Sequence, residues 1–174
     1  MRHTLALVIL SGGQDSVTCL AQALDKRGPD RVFAITFDYG QRHAVEVLAA
    51  RNVIKAAGIM DHHKTIMIPE GVLVGSSPLV NKGNAVEQYA GAEALPGGLE
   101  KTFVPMRNML FLTIAANHAC AIATQHGEES IDLITGLSQE DYGGYPDCRQ
   151  AFVESMESAI SQSLDAEGLP EVII

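Results

Sequence analysis

The sequence has few basic residues, and this shortage excludes one large class of protein. Twelve lysines and arginines stand against 21 aspartates and glutamates, so the 174-residue chain has a net charge of −9 at pH 7. A protein that binds a nucleic-acid duplex or tRNA usually has a basic face, and no such face is evident here. The composition therefore favours the chemistry of small molecules over nucleic-acid binding.

Patterns typical of metal sites and disulfides are also missing. Cys19, Cys120 and Cys148 lie far apart and form no C-x-x-C pair, so neither a thiolate zinc site nor a disulfide framework is predicted. The histidines show neither H-x-x-x-H nor H-E-x-x-H spacing, which disfavours a histidine metal site. His62 and His63 are expected to be exposed between a helix and a strand. Reduced thiols in a cytoplasmic protein are the simplest interpretation.

No hydrophobic stretch is long enough to span a membrane. The apolar run Leu5–Leu10 after Met1-Arg2 is too short for a signal peptide, and Gly-Gly-Gln-Asp follows it in place of a small-residue cleavage site. The run is therefore predicted to be a buried first strand. Hydrophobic residues make up 47% of the chain, which argues against disorder and predicts a single domain over residues 1–174.

Four apolar runs without polar alternation are typical of parallel strands that are covered on both faces. They are Leu5–Leu10, Val32–Phe37, Thr65–Ile68 and Ile131–Thr135. Helical patterns lie between and after them, over Ser16–Lys26, Gln41–Ala57, Pro105–Gln125 and Asp147–Leu164. This alternation predicts right-handed βαβ units and a doubly wound α/β fold with a mainly parallel sheet and helices on both faces.

Two parts of the chain depart from this pattern. Residues 69–104 are rich in Gly, Pro, Ser and Asn, and we expect a mobile active-site flap with a short helix near Asn84–Ala92. A tolerated surface insertion is an equally good interpretation. The final residues 171–174, Glu-Val-Ile-Ile, indicate either the start of a strand in a longer protein or a C-terminal edge strand.

The segment Ser11–Ser16 lies between the first predicted strand and the first predicted helix. Its glycines let backbone N–H groups turn toward one point, where the helix dipole adds partial positive charge, so phosphate binding is predicted. It has neither the Lys of the G-x-x-x-x-G-K-S/T loop nor the spacing of the G-x-G-x-x-G loop. Asp15 beside a phosphate implies Mg²⁺ between the two. Alternatively, Asp15 or Ser16 simply caps the helix.

Polar segments also follow the other strands, at the edge where open α/β sheets bind ligands. Residues 38–43, Asp-Tyr-Gly-Gln-Arg-His, follow the second strand, and Arg42 there could face an anion, or Asp38 could cap a helix. Pro105 suits the first position of the third helix, which leaves Arg107 in the first turn against the dipole. That position suggests a phosphate or carboxylate partner, although an exposed Arg there costs at most about 1 kcal/mol.

A further polar cluster, residues 135–149, follows the fourth strand. Gly136 would let the backbone approach a ligand closely, and Asp141 and Asp147 could bind a metal or accept hydrogen bonds from a base. Tyr145 could stack on a ring. The alternative interpretation of Gly-Gly-Tyr-Pro-Asp is a simple turn, with Asp147 capping the last helix.

Four segments together resemble the 7-cyano-7-deazaguanine synthase family, within the PP-loop ATP pyrophosphatase superfamily. They are residues 10–16, 36–43, 102–108 and 143–149, of which the first marks only the superfamily. Met106 stands where the family usually has Gly. The resemblance implies an ATP-dependent ligase of queuosine biosynthesis that converts 7-carboxy-7-deazaguanine and ammonia to 7-cyano-7-deazaguanine (preQ0). The carboxylate would be activated as an acyl-adenylate, ammonia would form the amide, and a second activation would allow dehydration to the nitrile.

The resemblance also implies roles for individual residues. ATP would be bound by Leu10, Ser11, Gly12, Gly13, Gln14, Asp15, Ser16, Val17, Thr18, Cys19, Leu20 and Gly136. Asp15 would also hold Mg²⁺, and the catalytic residues would be Asp15, Ser16 and Arg107. The substrate pocket would comprise Tyr39, Gln41, Arg42, Asn108, Asp141, Tyr145, Asp147 and Arg149.

The family also carries a structural Zn²⁺ on a cysteine-rich C-terminal segment, and its ligands are absent from this chain, so we expect the first three-quarters of the enzyme. Its partners would be small molecules, with no nucleic acid and no membrane, and a homodimer is compatible. Two rival hypotheses stay open: another PP-loop synthetase, such as a tRNA-thiolating enzyme, and a non-catalytic ATP-binding module. The acidic balance disfavours the first rival, and the polar clusters after the second and fourth strands disfavour the second.

Overall fold

A sheet of five parallel strands forms the centre of the computed structural model, which describes residues 4–40, 44–74, 103–137 and 145–174. The strands are β1 (Leu5–Ile9), β2 (Val32–Asp38), β3 (His63–Met67), β4 (Ser130–Ile134) and β5 (Glu171–Ile173). Their spatial order is β3-β2-β1-β4-β5, so the order reverses between β1 and β4. The loops that follow these two central strands therefore lie beside the crevice where such sheets bind ligands.

The helices cover both faces of the sheet, as predicted. They are α1 (Gln14–Arg27), α2 (Ala44–Ala57), α3 (Arg107–His126) and α4 (Gln150–Ser163). Residues of α1 and α2 share one apolar core with β1 and β2, while residues of α3 and α4 share a second core with β1, β2, β4 and β5, against which Ile66 of β3 also packs. The prediction of a doubly wound, parallel α/β fold is confirmed. Among the described residues, no helix has the length and apolar character needed to cross a membrane.

Strand β1 shows why the predicted strands lack polar alternation. Leu5 and Leu7 pack in the core on the α3 and α4 side, whereas Val8 and Leu10 pack in the core on the α1 and α2 side. Because both faces of the strand are covered, every position needs an apolar side chain. The terminal prediction of a strand at Glu171 is also confirmed, since β5 pairs in parallel with β4 at one edge of the sheet.

Two predicted helix starts were wrong. The third helix begins at Arg107 and not at Pro105, because Pro105 and Met106 form a turn that interrupts the helical path. The fourth helix begins at Gln150, because residues 146–148 form a separate 3₁₀ turn before it. Most of the predicted flap, with its short helix near Asn84–Ala92, lies in residues 75–102 and so outside the described residues.

The turn before α3 places Met106 in a strained backbone conformation. Met106 is the N-cap residue, with φ 66° and ψ 2°, and it is the one non-glycine residue with positive φ in the described ranges. A residue with a Cβ pays about 1–2 kcal/mol in the left-handed region, which glycine occupies freely.

We expect Met106→Gly to stabilise the protein by about 0.5–1 kcal/mol, because relief of the backbone strain exceeds the entropy cost of a new glycine. The Met106 side chain is 61% exposed, so its removal sacrifices little apolar burial. The measurement is the free energy of unfolding in urea. Met60→Gly is the matched control, since Met60 is 64% exposed but has an ordinary φ, and it should lose stability. A loss in both variants would contradict the strain argument.

The stability of the fold should also depend on two histidines. Burial lowers the pKa of His63 and of His118, and the positive charges of Arg51 and Lys64 respectively lower each pKa further. The unfolded chain, with the ordinary histidine pKa of 6.5, then takes up protons more readily than the folded chain. Stability is therefore highest above pH 6.5 and falls as the pH drops toward the lowered pKa values.

We expect the free energy of unfolding to decrease between about pH 7.5 and pH 5, and His118→Gln to reduce that decrease. Urea titrations at several pH values measure both effects. A pH dependence that is identical in the native and variant proteins would show that His118 does not contribute.

Candidate functional site

The glycine loop, residues 11–13, forms a concave turn directly after β1. Ser16 Oγ accepts hydrogen bonds from the backbone N–H of Ser11 at 3.3 Å and of Gly12 at 3.2 Å. The N–H of Gly13 donates to Ser11 Oγ at 3.3 Å, and the two hydroxyl oxygens are 3.1 Å apart. Three successive N–H groups thus point at one pair of oxygens, which is the arrangement in which a backbone nest holds an anion.

Helix α1 begins at Gln14 and follows Gly13, an N-cap residue that makes no side-chain capping bond. The alternative interpretation of Asp15 or Ser16 as the cap is therefore wrong. The Ser16 hydroxyl donates to the Gly13 carbonyl at 2.9 Å, and Asp15 is exposed in the first turn. The N–H groups of this first turn have no acceptor within the helix. They add further donors and partial positive charge beside the glycine loop.

Two glycines let neighbouring elements approach this region closely. A Cβ on Gly12 would lie 2.5 Å from the carbonyl oxygen of Glu46 and 2.9 Å from the backbone nitrogen of Ala50, both in α2. A Cβ on Gly136, in the loop after β4, would lie 3.0 Å from the carbonyl carbon of Asp15. Gly136, predicted to face a ligand, therefore packs its backbone against the start of α1.

Arg107 connects the start of α3 with the end of β2. Its Nε donates to Asn108 Oδ1 at 3.4 Å, and its guanidinium hydrogen bonds with the side chain of Tyr39. Burial raises the pKa of Tyr39, the Arg107 charge and hydrogen bond act to lower it, and the charge of Glu46 adds to the rise. Glu46 is therefore close to both the glycine loop and Tyr39. Its carbonyl oxygen lies against Gly12, and the negative charge of its carboxylate raises the pKa of Tyr39.

Asp147 is a carboxylate that is only 7% exposed, in the 3₁₀ turn before α4. Its Oδ2 accepts the backbone N–H of Asn108 at 3.4 Å, and Asn108 Nδ2 donates to the Asp147 carbonyl at 3.2 Å and to Cys148 Sγ at 3.4 Å. The alternative prediction that Asp147 caps α4 is wrong, because its carboxylate bonds the start of α3. Burial raises the pKa of Asp147, and the Asn108 N–H and the Arg107 charge oppose this rise.

Aromatic pairs involve two further predicted site residues, Tyr145 and Tyr39. Tyr145, which immediately precedes the 3₁₀ turn, stacks on Phe103 with ring centroids 5.3 Å apart. Tyr39 packs against Phe111 of α3 at 5.5 Å, and Phe111 stacks on Phe37 of β2 at 4.3 Å. The Phe37 and Phe111 pair anchors the end of β2 to α3, which keeps the Tyr39 hydroxyl beside Arg107.

The structure gathers most of the predicted site residues into two groups. The glycine loop, the first turn of α1 and Gly136 form the first group. The second, which we name the arginine cluster, consists of Tyr39, Arg107, Asn108 and Asp147. Both groups follow the carboxyl ends of strands, as the sequence predicted. Three predicted substrate residues, Gln41, Arg42 and Asp141, lie outside the described residues.

Several residues of the predicted ATP segment have side chains that are buried or engaged within the protein. The side chains of Leu10 and Leu20 are buried in the core between the sheet and α1 and α2. The Thr18 hydroxyl donates within the helix, to the Gln14 carbonyl at 2.9 Å. Burial raises the pKa of Cys19, and the negative charge of Asp15 raises it further, so this thiol stays protonated. Gln14, at the start of α1, is exposed.

Two residues near the site were missed by sequence reasoning. Thr36 in β2 is 1% exposed, and its hydroxyl donates to the Leu10 carbonyl at 2.8 Å and lies 2.9 Å from His63 Nε2. The prediction that His63 is exposed is wrong, since it is half-buried in β3. A signal for Thr36 was present, because a hydroxyl in a strand covered on both faces must find a hydrogen-bond partner.

The described residues contain no group of three or more His, Cys, Asp or Glu that could hold a metal ion alone. The cysteines are free thiols, on α1, α3 and the turn before α4. Mg²⁺ commonly binds through one or two carboxylates together with substrate phosphates, and so needs no such group. The exposed Asp15 carboxylate, next to a nest of N–H donors, fits that mode of binding.

Comparison with known proteins supports an assignment to a family. The sequence matches the family described as "Queuosine biosynthesis protein QueC" over residues 5–171. It is 47% identical over 159 residues to a 7-cyano-7-deazaguanine synthase from Gloeobacter violaceus, which covers 91% of this chain and 63% of that protein. Proteins of the same name from Chromobacterium violaceum and Laribacter hongkongensis are 42% identical to this chain. Each alignment covers 92% of this chain, and the two cover 64% and 65% of the respective relatives.

The matched region thus spans slightly less than two thirds of each of these relatives. Among solved structures, a U34-tRNA thiolase NcsA from Methanococcus maripaludis aligns with 99% of this chain and 51% of its own, at 15% identity and a TM-score of 0.44. A likeness that low supports no functional argument. The matches over nearly the whole chain confirm the resemblance noted in the sequence, and the chain belongs to the queuosine biosynthesis protein QueC family.

Proposed function

We propose that this chain supplies the ATP-binding site of an enzyme that makes 7-cyano-7-deazaguanine from 7-carboxy-7-deazaguanine, ammonia and ATP. The observation that carries the proposal is the glycine loop, where three successive N–H groups point at one pair of oxygens beside the N-terminus of α1. Membership of the family, and the name shared by its relatives, supports the choice of substrate.

The proposed reaction needs activation because a carboxylate is a poor electrophile with no good leaving group. When a carboxylate oxygen attacks the α-phosphorus of ATP, pyrophosphate leaves and an acyl-adenylate forms. Ammonia then attacks its carbonyl carbon, and AMP leaves as the amide forms. A second activation, on the amide oxygen, allows dehydration to the nitrile. Such chemistry depends mainly on positioning and charge stabilisation, so no covalent enzyme intermediate is required.

The N–H groups of the glycine loop would bind phosphate by exchanging serine oxygens for phosphate oxygens as their hydrogen-bond acceptors. The N–H groups of Ser11, Gly12 and Gly13 now donate to serine hydroxyls, and phosphate oxygens can replace those hydroxyls as acceptors. The Ser11 hydroxyl, released from Ser16 Oγ, is then free to donate to the phosphate, and the Ser16 hydroxyl can donate there if it gives up its bond to the Gly13 carbonyl. Mg²⁺, when bound between Asp15 and the phosphates, would neutralise their charge and favour departure of pyrophosphate.

The arginine cluster would serve the second substrate. Arg107 carries the positive charge that can stabilise the developing negative charge of the activated acid. The side-chain amide of Asn108 is already engaged with Asp147 and Cys148, so we assign it the role of holding Arg107 and Asp147 in place. The Asp147 carboxylate would accept hydrogen bonds from the deazaguanine ring, and Tyr145 and Arg149 would border the pocket.

The remaining parts of the proposal concern partners and location. The reaction uses small molecules, and we place it in the cytoplasm without a nucleic-acid or membrane partner. We assign no zinc site to the part of the chain that the structure describes. The zinc of the family and a homodimer stay predictions.

We expect the protein to form preQ0 from the acid, ammonium and MgATP, and Asp15→Asn to lower that rate about a hundredfold or more, because the metal loses its carboxylate. The product is measured by mass spectrometry, and ATP binding by equilibrium dialysis. Asp25→Asn, an exposed carboxylate on the same helix, is the matched control and should keep full activity. Binding of ATP without turnover would favour a non-catalytic module, and transfer of sulfur to tRNA would favour the thiolating enzyme.

We expect Asp147→Asn to abolish preQ0 formation without loss of stability. The pKa of Asp147 is raised by burial, so its contribution to stability is largest below the ordinary value of 3.8 and is lost as the pH rises through the folded pKa. Asparagine removes this charge penalty at neutral pH and can still accept the Asn108 N–H. Activity and urea unfolding at about pH 7 measure the two effects. The exposed Asp165→Asn should change neither; a large loss of stability in Asp147→Asn would contradict the assignment.

A further inference from the structure

The carbonyl of Leu10 lies where the chain leaves the sheet for the glycine loop. Ile9 and Ile35 form the last registered pair of β1 and β2, and the Leu10 N–H still donates to the Ile35 carbonyl at 2.8 Å. The Leu10 carbonyl accepts the Thr36 hydroxyl at 2.8 Å. Both polar groups of the Leu10 backbone are thus held by β2 immediately before the loop.

The direction of each hydrogen bond in this group follows from the number of protons. The Thr36 hydroxyl has one proton, and the Leu10 carbonyl can only accept, so that proton points at Leu10. The contact of 2.9 Å between Thr36 Oγ1 and His63 Nε2 must therefore have the imidazole as donor. A relay runs from His63 in β3, through Thr36 in β2, to Leu10 at the end of β1.

The relay acts on the glycine loop through a single peptide plane. The Leu10 carbonyl and the Ser11 N–H belong to the same planar peptide unit and point in opposite directions. When Thr36 holds the carbonyl, it also sets the direction of the Ser11 N–H, the first of the three donors of the nest. A rotation of this plane would turn the Ser11 N–H away from Ser16 Oγ, the acceptor that it shares with the Gly12 N–H.

We propose that Thr36 is a positioning residue for phosphate binding, and that His63 orients its hydroxyl. The inference rests on the proposed function for its ligand, MgATP, but the orientation of the Ser11 N–H can be tested without ATP. Thr36 is 1% exposed and does not border the loop surface, so it acts through Leu10 and not by contact with a ligand.

The test compares Thr36→Val, which removes the hydroxyl and keeps the shape, with Thr36→Ser, which keeps the hydroxyl. We expect hydrogen exchange of the Ser11 amide, measured by NMR relative to the buried Ala119 amide of α3, to be about tenfold faster in Thr36→Val and unchanged in Thr36→Ser. The Kd for MgATP should rise about three- to tenfold in Thr36→Val. Thr124→Val is the matched control, because Thr124 donates to the Cys120 carbonyl at 2.9 Å on α3.

His63 provides a second, independent pair of variants. His63→Phe keeps a ring but loses the donor, and should also speed exchange at Ser11, while His63→Gln offers an amide N–H and should restore slow exchange. Unchanged Ser11 exchange in both Thr36→Val and His63→Phe would overturn the inference. So would faster exchange at Ser11 with an unaltered Kd for MgATP. If the native protein bound no MgATP, the proposed function would fail, and a role in phosphate binding would fail with it, whatever the exchange rates show.

Discussion

The site depends on close backbone contact at two glycines. A side chain at residue 12 would collide with the carbonyl of Glu46, so α2 can lie against the glycine loop only because Gly12 has none. Gly136 allows the same approach of the loop after β4 to the first turn of α1. These contacts bring α1, α2 and the β4 loop to the point where the N–H groups of the nest meet. Packing between protein elements thus explains why residues 12 and 136 are both glycine.

The arginine cluster combines features that are individually unfavourable. Met106 has a left-handed backbone, Arg107 places a cation at the positive end of α3, and Asp147 is a buried carboxylate. Each cost is reduced by a neighbour: the Arg107 charge and the Asn108 N–H favour the charged form of Asp147, and Asp147 offsets the cation near the helix terminus. Residues that break local rules in one place are typical of functional sites.

Much of the fold was predictable because its signals are local. The apolar runs of the first four strands, the helical spacing between them and the glycine after β1 appear within short windows of sequence, and the structure confirms them. The starts of α3 and α4 were predicted too early, since the positive φ of Met106 and the separate 3₁₀ turn at residues 146–148 interrupt the helical path. The hydrogen bond between Asp147 and the start of α3 was not predicted, because its partner Asn108 is 39 residues away.

The sequence by itself determined the strand and helix order, the parallel sheet and the position of the candidate phosphate loop, because periodicity and glycine placement act over a few residues. Only the tertiary structure decided which side chains control that loop. Thr36 reaches Leu10 across 26 residues and His63 across 27, and neither pairing can be read before the strand order is known. The physical reason is that a hydrogen bond requires atoms within about 3 Å, and the arrangement of β3, β2 and β1 alone brings these three residues together.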